Sequence, residues 1–506
     1  MQRWEANCER RPPLATRSKR MDLSQSIRSG TKWLVAGNAG GQFLQFSFGV
    51  VLARLLVPAD FGLLVTVQVF TGFVGLVASG GTGEALIRAK DVSDRDFHVV
   101  FTMQLTAGVL IYLSFFTIAP WFAQWFHDPL YKVLLRVSAI SFLARPFSNI
   151  HAVWLRREMR FKEISLISLI AMLFSNATSV GMALSGMGVW SLILGGLCGA
   201  LLNIGLISRR TPLRLRLAFD PRTAKGHSTY GFKFTANEVV TYLRDQTSNL
   251  IISRISGPAS VGIYNKAQSL GQTPLSMFSG PVYQTVFRAM SAVQDDRDKT
   301  KYMFLKMISL LGLYTLPFYV GIWWLAAPLI GFFYGQKWAA STAPLEIIAL
   351  AGLIFCVGHP CGAVLAAQNR LGRELIAQTI GLFVVATGSY VGLRWGLSGV
   401  AVAFLVGHLY TTTHMYWLVR QCLPVSSAEV FKSLQPGLIL NTSLILILAA
   451  FSLLLSAELP LTHPAIYMFA CATVGGITYL IAFLFLPLPM IESEVLRFKK
   501  MLRLAS

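Results

Sequence analysis

The feature that most constrains this chain is the recurrence of uncharged, apolar runs about 20 residues long. Each run is long enough to cross a hydrocarbon core of about 30 Å as a helix, which satisfies all of its own backbone hydrogen bonds in lipid. Only 13% of the 506 residues are charged, whereas a soluble domain carries about 25%. The sequence therefore predicts an all-α polytopic membrane protein.

Fourteen such runs are predicted to be transmembrane helices, although the seventh and eighth contain several charges. They lie at residues 31–54, 59–83, 98–120, 132–155, 164–185, 187–208, 230–252, 258–287, 302–324, 343–366, 374–394, 396–418, 435–456 and 464–488.

The chain also contains an internal repeat with an offset of about 200 residues. Residues 52–64 (LARLLVPADFGLL) correspond to residues 252–264 (ISRISGPASVGIY), so that Pro58 and Gly62 recur as Pro258 and Gly262. A repeat of six spans begins on the same side of the membrane in both copies. Parallel repeats of this kind place a substrate site between the two halves, near the bilayer midplane.

The repeat and the charges together predict six segments. These are a basic cytoplasmic arm at 1–28, an N-lobe of helices 1–6 at 29–210, a basic cytoplasmic linker at 211–229, a C-lobe of helices 7–12 at 230–420, helices 13 and 14 at 421–490, and a basic cytoplasmic tail at 491–506.

The formal net charge of +21 arises from Lys and Arg residues in alternate loops, which is the positive-inside pattern. Both termini are therefore expected to be cytoplasmic, and no nucleic-acid partner is expected. The first thirty residues have no apolar core, so we expect no cleavable signal peptide. Residues 1–20 are expected to form a disordered arm, with Met21 as an alternative start.

Ionisable side chains within spans are costly unless they face water or a partner. Arg244 and Lys266 each lie about ten residues from a hairpin turn predicted near Ser256, so they should lie at similar depth. We predict a cationic patch that faces a cavity between the lobes. The alternative is a packed polar core with Glu238 and Asp245. Neither carboxylate lies three or four residues from Arg244, so partners are expected on other helices, in water or on a ligand.

Other polar residues are candidates for the same cavity. Side chains that could hydrogen-bond a ligand lie on the first and eighth spans: Asn38, Gln45, Asn265, Gln268 and Gln272. Three carboxylates are candidates for ion coupling: Glu84, Glu238 and Asp245. Glu84 has a simpler alternative, because a carboxylate near the cytoplasmic end of a span can reach the interface.

Motifs for enzymatic chemistry are missing from the sequence. There is no phosphate-binding loop, no zinc-protease motif and no nucleophile elbow. The six cysteines form no CxxC pair, and His359 and His408 are read as ordinary helix-end residues. We therefore expect no catalytic residues, no metal and no cofactor. A membrane glycosyltransferase or ligase remains an alternative, and it would depend on the acidic loop residues Asp128 and Glu458.

Several stretches, taken in order, resemble the polysaccharide-transporter branch of the multidrug/oligosaccharidyl-lipid/polysaccharide flippase superfamily, the Wzx-type lipopolysaccharide and exopolysaccharide exporters. They are ARLLVPADFGLL (53–64), GEALIRAKD (83–91), LRREMRFKEISLI (155–167), GMGVWSLILGG (186–196), GPASVGIYNKAQSL (257–270), MSAVQDDRD (290–298) and YGQKW (334–338).

This resemblance implies fourteen spans in two lobes, with helices 13 and 14 beside a lateral opening. It implies a lipid-linked oligosaccharide cargo that crosses a bacterial inner membrane. For such a cargo, our hypothesis is that Arg244 and Lys266 attract the diphosphate and that the amide side chains bind sugar hydroxyls. Membrane lipids, a polysaccharide polymerase and glycosyltransferases are the implied partners. A peptidoglycan-precursor flippase, a small-molecule exporter and a non-transporting assembly scaffold remain alternatives.

Overall fold

The computed structural model describes residues 23–79, 83, 86–87, 92–292, 296–454, 464–486 and 492–501. All regular secondary structure in these residues is helical. Residues 1–22 of the predicted basic arm, Glu84, and the loop residue Glu458 lie outside this part of the chain.

The first half of the chain forms six helices. They are α1 (Leu23–Leu55), α2 (Pro58–Ser79), α3 (Asp94–Phe126), α4 (Leu130–Arg157), α5 (Phe161–Leu184) and α6 (Val189–Ser208). Pro58 begins α2, where its fixed φ suits the first helical turn. At the start of α3, the Asp96 carboxylate accepts a hydrogen bond of 2.8 Å from the backbone N–H of Ser93, which caps the helix.

The second half begins with a helical run from Pro221 to Ala292 that breaks at Gly257, where φ is 79°. Glycine adopts this left-handed conformation at low cost, so the run consists of α7 (221–256) and α8 (258–292), with the break beside the turn predicted near Ser256. The remaining helices are α9 (Arg297–Tyr314), α10 (Leu316–Leu329), α11 (Thr342–Ala349), α12 (Ala351–Ala367), α13 (Leu371–Gly392), α14 (Gly396–Cys422), α15 (Ser427–Leu454), α16 (Pro464–Phe485) and α17 (Glu492–Met501).

Two of the predicted spans are each divided. The run 302–324 is split at Thr315 into α9 and α10, because Pro317 in the first turn of α10 cannot donate a backbone hydrogen bond. A π turn (Ile330–Tyr334) and a 3₁₀ turn (Gln336–Ser341) then lead into α11. The run 343–366 is bent by 49° between Gln336–Ala349 and Ala351–Ala367.

Within the described residues, eight helical segments are long and apolar enough to cross a membrane, and nine if the bent pair is counted as one span. Such a set of helices makes the chain a multi-pass membrane protein. We call the end of the molecule that contains the α1–α2 turn and Gly257 the hairpin end. The linker end is the opposite end, which contains residues 209–220.

We use N-lobe as a name for helices α1–α6 and C-lobe as a name for helices α7–α14. The linker between the halves follows the surface of the N-lobe. A ring nitrogen of His98 lies 3.0 Å from the carbonyl oxygen of Arg214, and the backbone N–H of Ala218 donates to the Thr102 hydroxyl at 2.9 Å. The helix α7 begins at Pro221, within the predicted linker 211–229, and proline suits the first helical turn.

Three of the apolar clusters bear on how the lobes are positioned. One cluster lies within the N-lobe, around Phe122 and Tyr131, and another within the C-lobe, around Phe304. A third joins α2 residues such as Val65 to C-lobe residues such as Trp338. The last helices, α15 and α16, pack on α9 and α10, and the Tyr479 hydroxyl donates to the carbonyl of Leu313 at 2.7 Å.

Candidate functional site

The contact between the two halves, here called the seam, is made by α2 of the N-lobe and the α7–α8 hairpin of the C-lobe. At the hairpin end it includes a reciprocal contact between repeat-related residues. A Cβ at Gly62 would lie 1.7 Å from the carbonyl oxygen of Pro258, and a Cβ at Gly262 would lie 1.9 Å from that of Pro58. Residues that are equivalent in sequence therefore meet across an approximate two-fold axis, and only glycine fits at either position.

Each lobe also extends an arginine into the other. Arg54, at the end of α1, donates from Nε to the carbonyl of Phe333 at 2.9 Å and from a terminal nitrogen to the carbonyl of Phe332. Its repeat counterpart Arg254 lies 3.3 Å from a ring nitrogen of His127. The two arginines thus contact corresponding turns, α3–α4 in the N-lobe and α10–α11 in the C-lobe.

The last carbonyls of α1 are bound by the C-lobe. The Lys337 ammonium donates to the carbonyls of Arg54 (2.7 Å) and Leu56 (2.5 Å), and the Trp338 indole N–H donates to Ala53 at 2.9 Å. A helix leaves its final carbonyls without intrahelical partners, and cations near its C-terminus are stabilising. The hairpin end is therefore closed by hydrogen bonds as well as by packing.

Farther from the hairpin end, the seam continues through polar contacts. The hydroxyls of Thr66 and Ser253 lie 2.7 Å apart in a buried contact. The Tyr242 hydroxyl donates to the carbonyls of Gln68 and Val69 at 3.0 and 3.2 Å. A side chain at Gly72 would collide with it, since a Cβ there would lie 2.1 Å from the Tyr242 oxygen.

Lys266 lies in this seam inside a cage of three aromatic rings. Its ammonium nitrogen is 4.7 Å from the ring centroid of Phe61, 4.8 Å from Tyr334 and 5.3 Å from Trp338. Phe61 belongs to the N-lobe and the other two rings to the C-lobe. Cation–π contacts of this kind are worth about 0.5–2 kcal/mol each when water is excluded. Part of the stabilisation of this charge therefore depends on the two lobes being together.

Arg244 has different contacts. Its guanidinium donates to the Asp245 carboxylate at 2.8 and 2.9 Å and to the Gln378 amide oxygen on α13 at 2.5 Å, and only 7% of the residue is exposed. The expectation that its partner lies off its own helix is thus correct for Gln378 and wrong for Asp245. Adjacent residues project about 100° apart on a helix, but the long arginine side chain folds back to reach its neighbour.

The Arg244–Asp245 pair belongs to a polar cluster within the C-lobe. His408 on α14 lies 3.7 Å from the Asp245 carboxylate. The buried Glu374 on α13 lies beside Asn237 and Gln378. The contact of Arg244 with Asp245 is the one that the predicted alternative of a packed polar core included. The part of the cluster on α13 was not indicated, although Glu374 and Gln378 lie four residues apart on one face of a predicted span.

The predicted ligand-binding amides fall into different environments. Gln268 is buried and donates to the Asp245 carbonyl at 2.9 Å, while its oxygen accepts from Asn249 at 3.0 Å. Asn265 and Gln272 are partly exposed on the same face of α8, and they make no hydrogen bond with the described residues. Gln45 is exposed on α1.

The remaining candidates are only partly described. Asn38 lies in α1, but its side chain is outside the described residues, and Glu84 is outside them altogether. The side chain of Glu238 is exposed and interacts electrostatically with Asp245. The structure thus brings Arg244, Asp245, Glu238 and Gln268 together, whereas Lys266 lies in its own aromatic cage.

Arg145 is a further charged residue that the sequence patterns did not single out. Arg145 lies in the middle of α4, within the predicted span 132–155, and its side chain is exposed beside the seam. The signal that could have found it is simple, because an arginine at the centre of a span is costly wherever it does not face water or a partner.

Comparison with known proteins agrees with this architecture. The family model of polysaccharide biosynthesis proteins matches residues 51–343, which is more than half of the chain and includes most of the seam. The chain belongs to the polysaccharide biosynthesis protein family. The predicted resemblance to the Wzx-type branch of the flippase superfamily is confirmed.

Three relatives illustrate the match. The chain is 22% identical to the lipopolysaccharide biosynthesis protein WzxC of Escherichia coli K12, over 87% of this chain and 90% of that protein. It is 23% identical to the succinoglycan biosynthesis transport protein ExoT of Rhizobium meliloti, over 70% and 71%. The lipid II flippase MurJ in its inward closed conformation has a similar fold, with a TM-score of 0.72, 17% identity, and coverage of 88% of this chain and 97% of that chain.

Proposed function

We propose that this protein moves a polyprenyl-diphosphate-linked oligosaccharide from the cytoplasmic to the outer leaflet of a bacterial inner membrane, for lipopolysaccharide or exopolysaccharide synthesis. The observation that carries the proposal is the reciprocal seam between two repeat-related halves in a member of a polysaccharide biosynthesis family. Halves that meet about an approximate two-fold axis can rock against each other and open alternately to the two sides. Relatives named for lipopolysaccharide biosynthesis and for succinoglycan transport support a transporter rather than an enzyme.

The topology that we infer has fourteen spans. Six belong to the N-lobe, six to the C-lobe, with α9–α10 and α11–α12 each counted as one span, and two are α15 and α16. The basic linker supports a cytoplasmic linker end with both termini on that side, because cytoplasmic loops are rich in Lys and Arg. The hairpin end would then face outward.

A labelling experiment tests this orientation. In a variant without the native cysteines, Asp128→Cys in the α3–α4 turn should react with a membrane-impermeant maleimide in intact cells. Arg214→Cys in the linker should react only after the cells are permeabilised. The reverse order of labelling would contradict the proposed topology.

Lys266 has a defined place in the proposed cycle. When the hairpin end is closed, Phe61 from the other lobe stabilises the charge of Lys266. When the lobes separate there, that ring moves away and the ammonium can bind a diphosphate.

The other candidates for the substrate site remain Arg244, Asn38, Gln45, Asn265, Gln268 and Gln272. The candidates for ion coupling remain Glu238, Asp245 and Glu84. An inside-negative potential favours outward movement of an anion by about 2.3 kcal/mol per charge per 100 mV.

Flipping in proteoliposomes tests the function directly. The purified protein should move a fluorescent polyprenyl-diphosphate oligosaccharide between leaflets, measured by the fraction that an impermeant reductant can quench. Lys266→Gln should slow this about tenfold, since a hydrogen bond to a charged group is worth about 1.5–3 kcal/mol. Lys132→Gln, which removes an exposed lysine at the start of α4, is the matched control.

The outcomes are distinct. No flipping by the wild-type protein would reject the proposed function. Equal rates for the wild-type protein and Lys266→Gln would reject the role of the lysine alone. Faster movement of a peptidoglycan precursor than of the oligosaccharide would favour the peptidoglycan alternative.

A further inference from the structure

Arg145 occupies the middle of the membrane-spanning helix α4. It lies 15 residues after Leu130 and 12 before Arg157, which at 1.5 Å per residue is roughly 20 Å from either end of the helix. An arginine at this depth is costly unless it faces a watery space or an anionic partner. The residues around Arg145 therefore indicate what kind of group it binds.

The guanidinium has aromatic and backbone neighbours but no carboxylate within salt-bridge distance among the described residues. Its central carbon lies 4.9 Å from the ring centroid of Phe142. One terminal nitrogen of the guanidinium contacts α2 at Gly75, since a Cβ at Gly75 would lie 2.3 Å from that nitrogen. The side chain is nonetheless exposed rather than enclosed by the N-lobe.

Arg145 lies close to residues of both lobes. Its guanidinium lies over Gly75 of α2, and one turn away the hydroxyl of Tyr242 from the C-lobe lies over Gly72 and donates to Gln68. One turn along α4, the Asn149 amide donates to Gln104 on α3 at 3.2 Å. Arg145 and Asn149 share a helix face, so a cation and an amide lie one turn apart on the same side of α4.

We propose that Arg145 binds the anionic diphosphate of the substrate at mid-depth, before that group reaches Lys266. This inference rests on the proposed function. A guanidinium offers planar, bidentate hydrogen bonds to phosphate oxygens, and the exposed side chain of Arg145 makes no ion pair with the described residues. Along α2, Gly75 beside Arg145 and Phe61 beside Lys266 are 14 residues apart, about 21 Å. The two cations are successive contacts along one path.

Binding of farnesyl diphosphate, compared with uncharged farnesol, tests the assignment in the purified full-length protein. Arg145→Ala should weaken farnesyl diphosphate binding about tenfold or more and leave farnesol binding unchanged, and Arg145→Lys should lie between. The control is Arg136→Ala on the same helix, because Arg136 is bound within its own lobe to the Phe116 carbonyl at 3.1 and 3.2 Å. It should bind farnesyl diphosphate like the wild type.

A second measurement keeps the test independent of folding. Arg145→Cys should lose flipping and regain it after modification with a positively charged aminoethyl thiosulfonate, but not with its neutral methyl analogue. If the wild-type protein flips substrate and Arg145→Ala flips it equally well, the inference is wrong and the proposed function stands. If the wild-type protein neither binds farnesyl diphosphate nor flips substrate, both are rejected. Equal loss of farnesyl diphosphate and farnesol binding would indicate a structural role and overturn the inference.

Discussion

Replacing Gly62 with leucine is expected to abolish polysaccharide export while the protein still inserts into the membrane. Even a Cβ at this position would lie 1.7 Å from the Pro258 carbonyl oxygen, and that oxygen belongs to backbone that cannot rotate away. Overpacking typically costs about 1–3 kcal/mol. A penalty of about 2 kcal/mol that is felt only when the hairpin end is closed shifts the balance between closed and open states by about 30-fold.

The closed state can be measured without substrate. The hydroxyls of Thr66 and Ser253 are 2.7 Å apart across the seam, so Thr66→Cys with Ser253→Cys should cross-link in a protein lacking its native cysteines. Gly62→Leu and Gly262→Leu should each reduce this cross-link. Gly49→Leu is the control, because a Cβ at Gly49 meets nothing within 4 Å. Full export by Gly62→Leu would show that closure of the hairpin end is not required.

Asp245→Ala is expected to lower the amount and thermal stability of the protein, more than Arg244→Lys does. Arg244 is buried and bonds to Asp245 and Gln378. Removing one partner of a buried ion pair leaves an uncompensated charge, which typically costs about 3–5 kcal/mol. Arg244→Lys keeps the charge but loses the planar pair of hydrogen bonds, so its effect should be smaller.

The double variant Arg244→Leu/Asp245→Leu separates structure from transport. Replacing both partners by apolar groups is often close to neutral for stability, so this protein should recover its thermal midpoint in detergent. If export also recovers, the pair serves packing alone. If the protein is stable but does not export, the pair takes part in substrate binding or ion coupling. A single Asp245→Ala variant as stable as the wild type would contradict the buried pairing.

The helices were predictable because lipid leaves few choices. A run of apolar residues must satisfy its backbone internally. Each predicted span therefore coincides for most of its length with one observed helix, or with two where a break divides it, and the residue that breaks the α7–α8 run lies where the turn was expected. The division at Thr315 depends on a single proline in an apolar run. Hydropathy does not register it, because proline changes the hydrogen bonding and leaves the apolar character of the run unaltered.

The contacts of the charged residues were less predictable. Spacing rules compare residues three or four apart on one helix, and they missed the adjacent Arg244–Asp245 pair. The cage of Lys266 is assembled from Phe61, Tyr334 and Trp338, which are far apart in the sequence. The repeat identified Gly62 and Gly262 as equivalent, but equivalence does not say which residues lie on the axis that relates the halves.

The attachment of the linker to the N-lobe has a mechanical consequence. Residues 211–218 are held by His151, His98 and Thr102, so there is almost no slack between the last contact on one lobe and the first turn of α7. The C-lobe therefore cannot drift away on a loose tether and has to swing from a fixed attachment point.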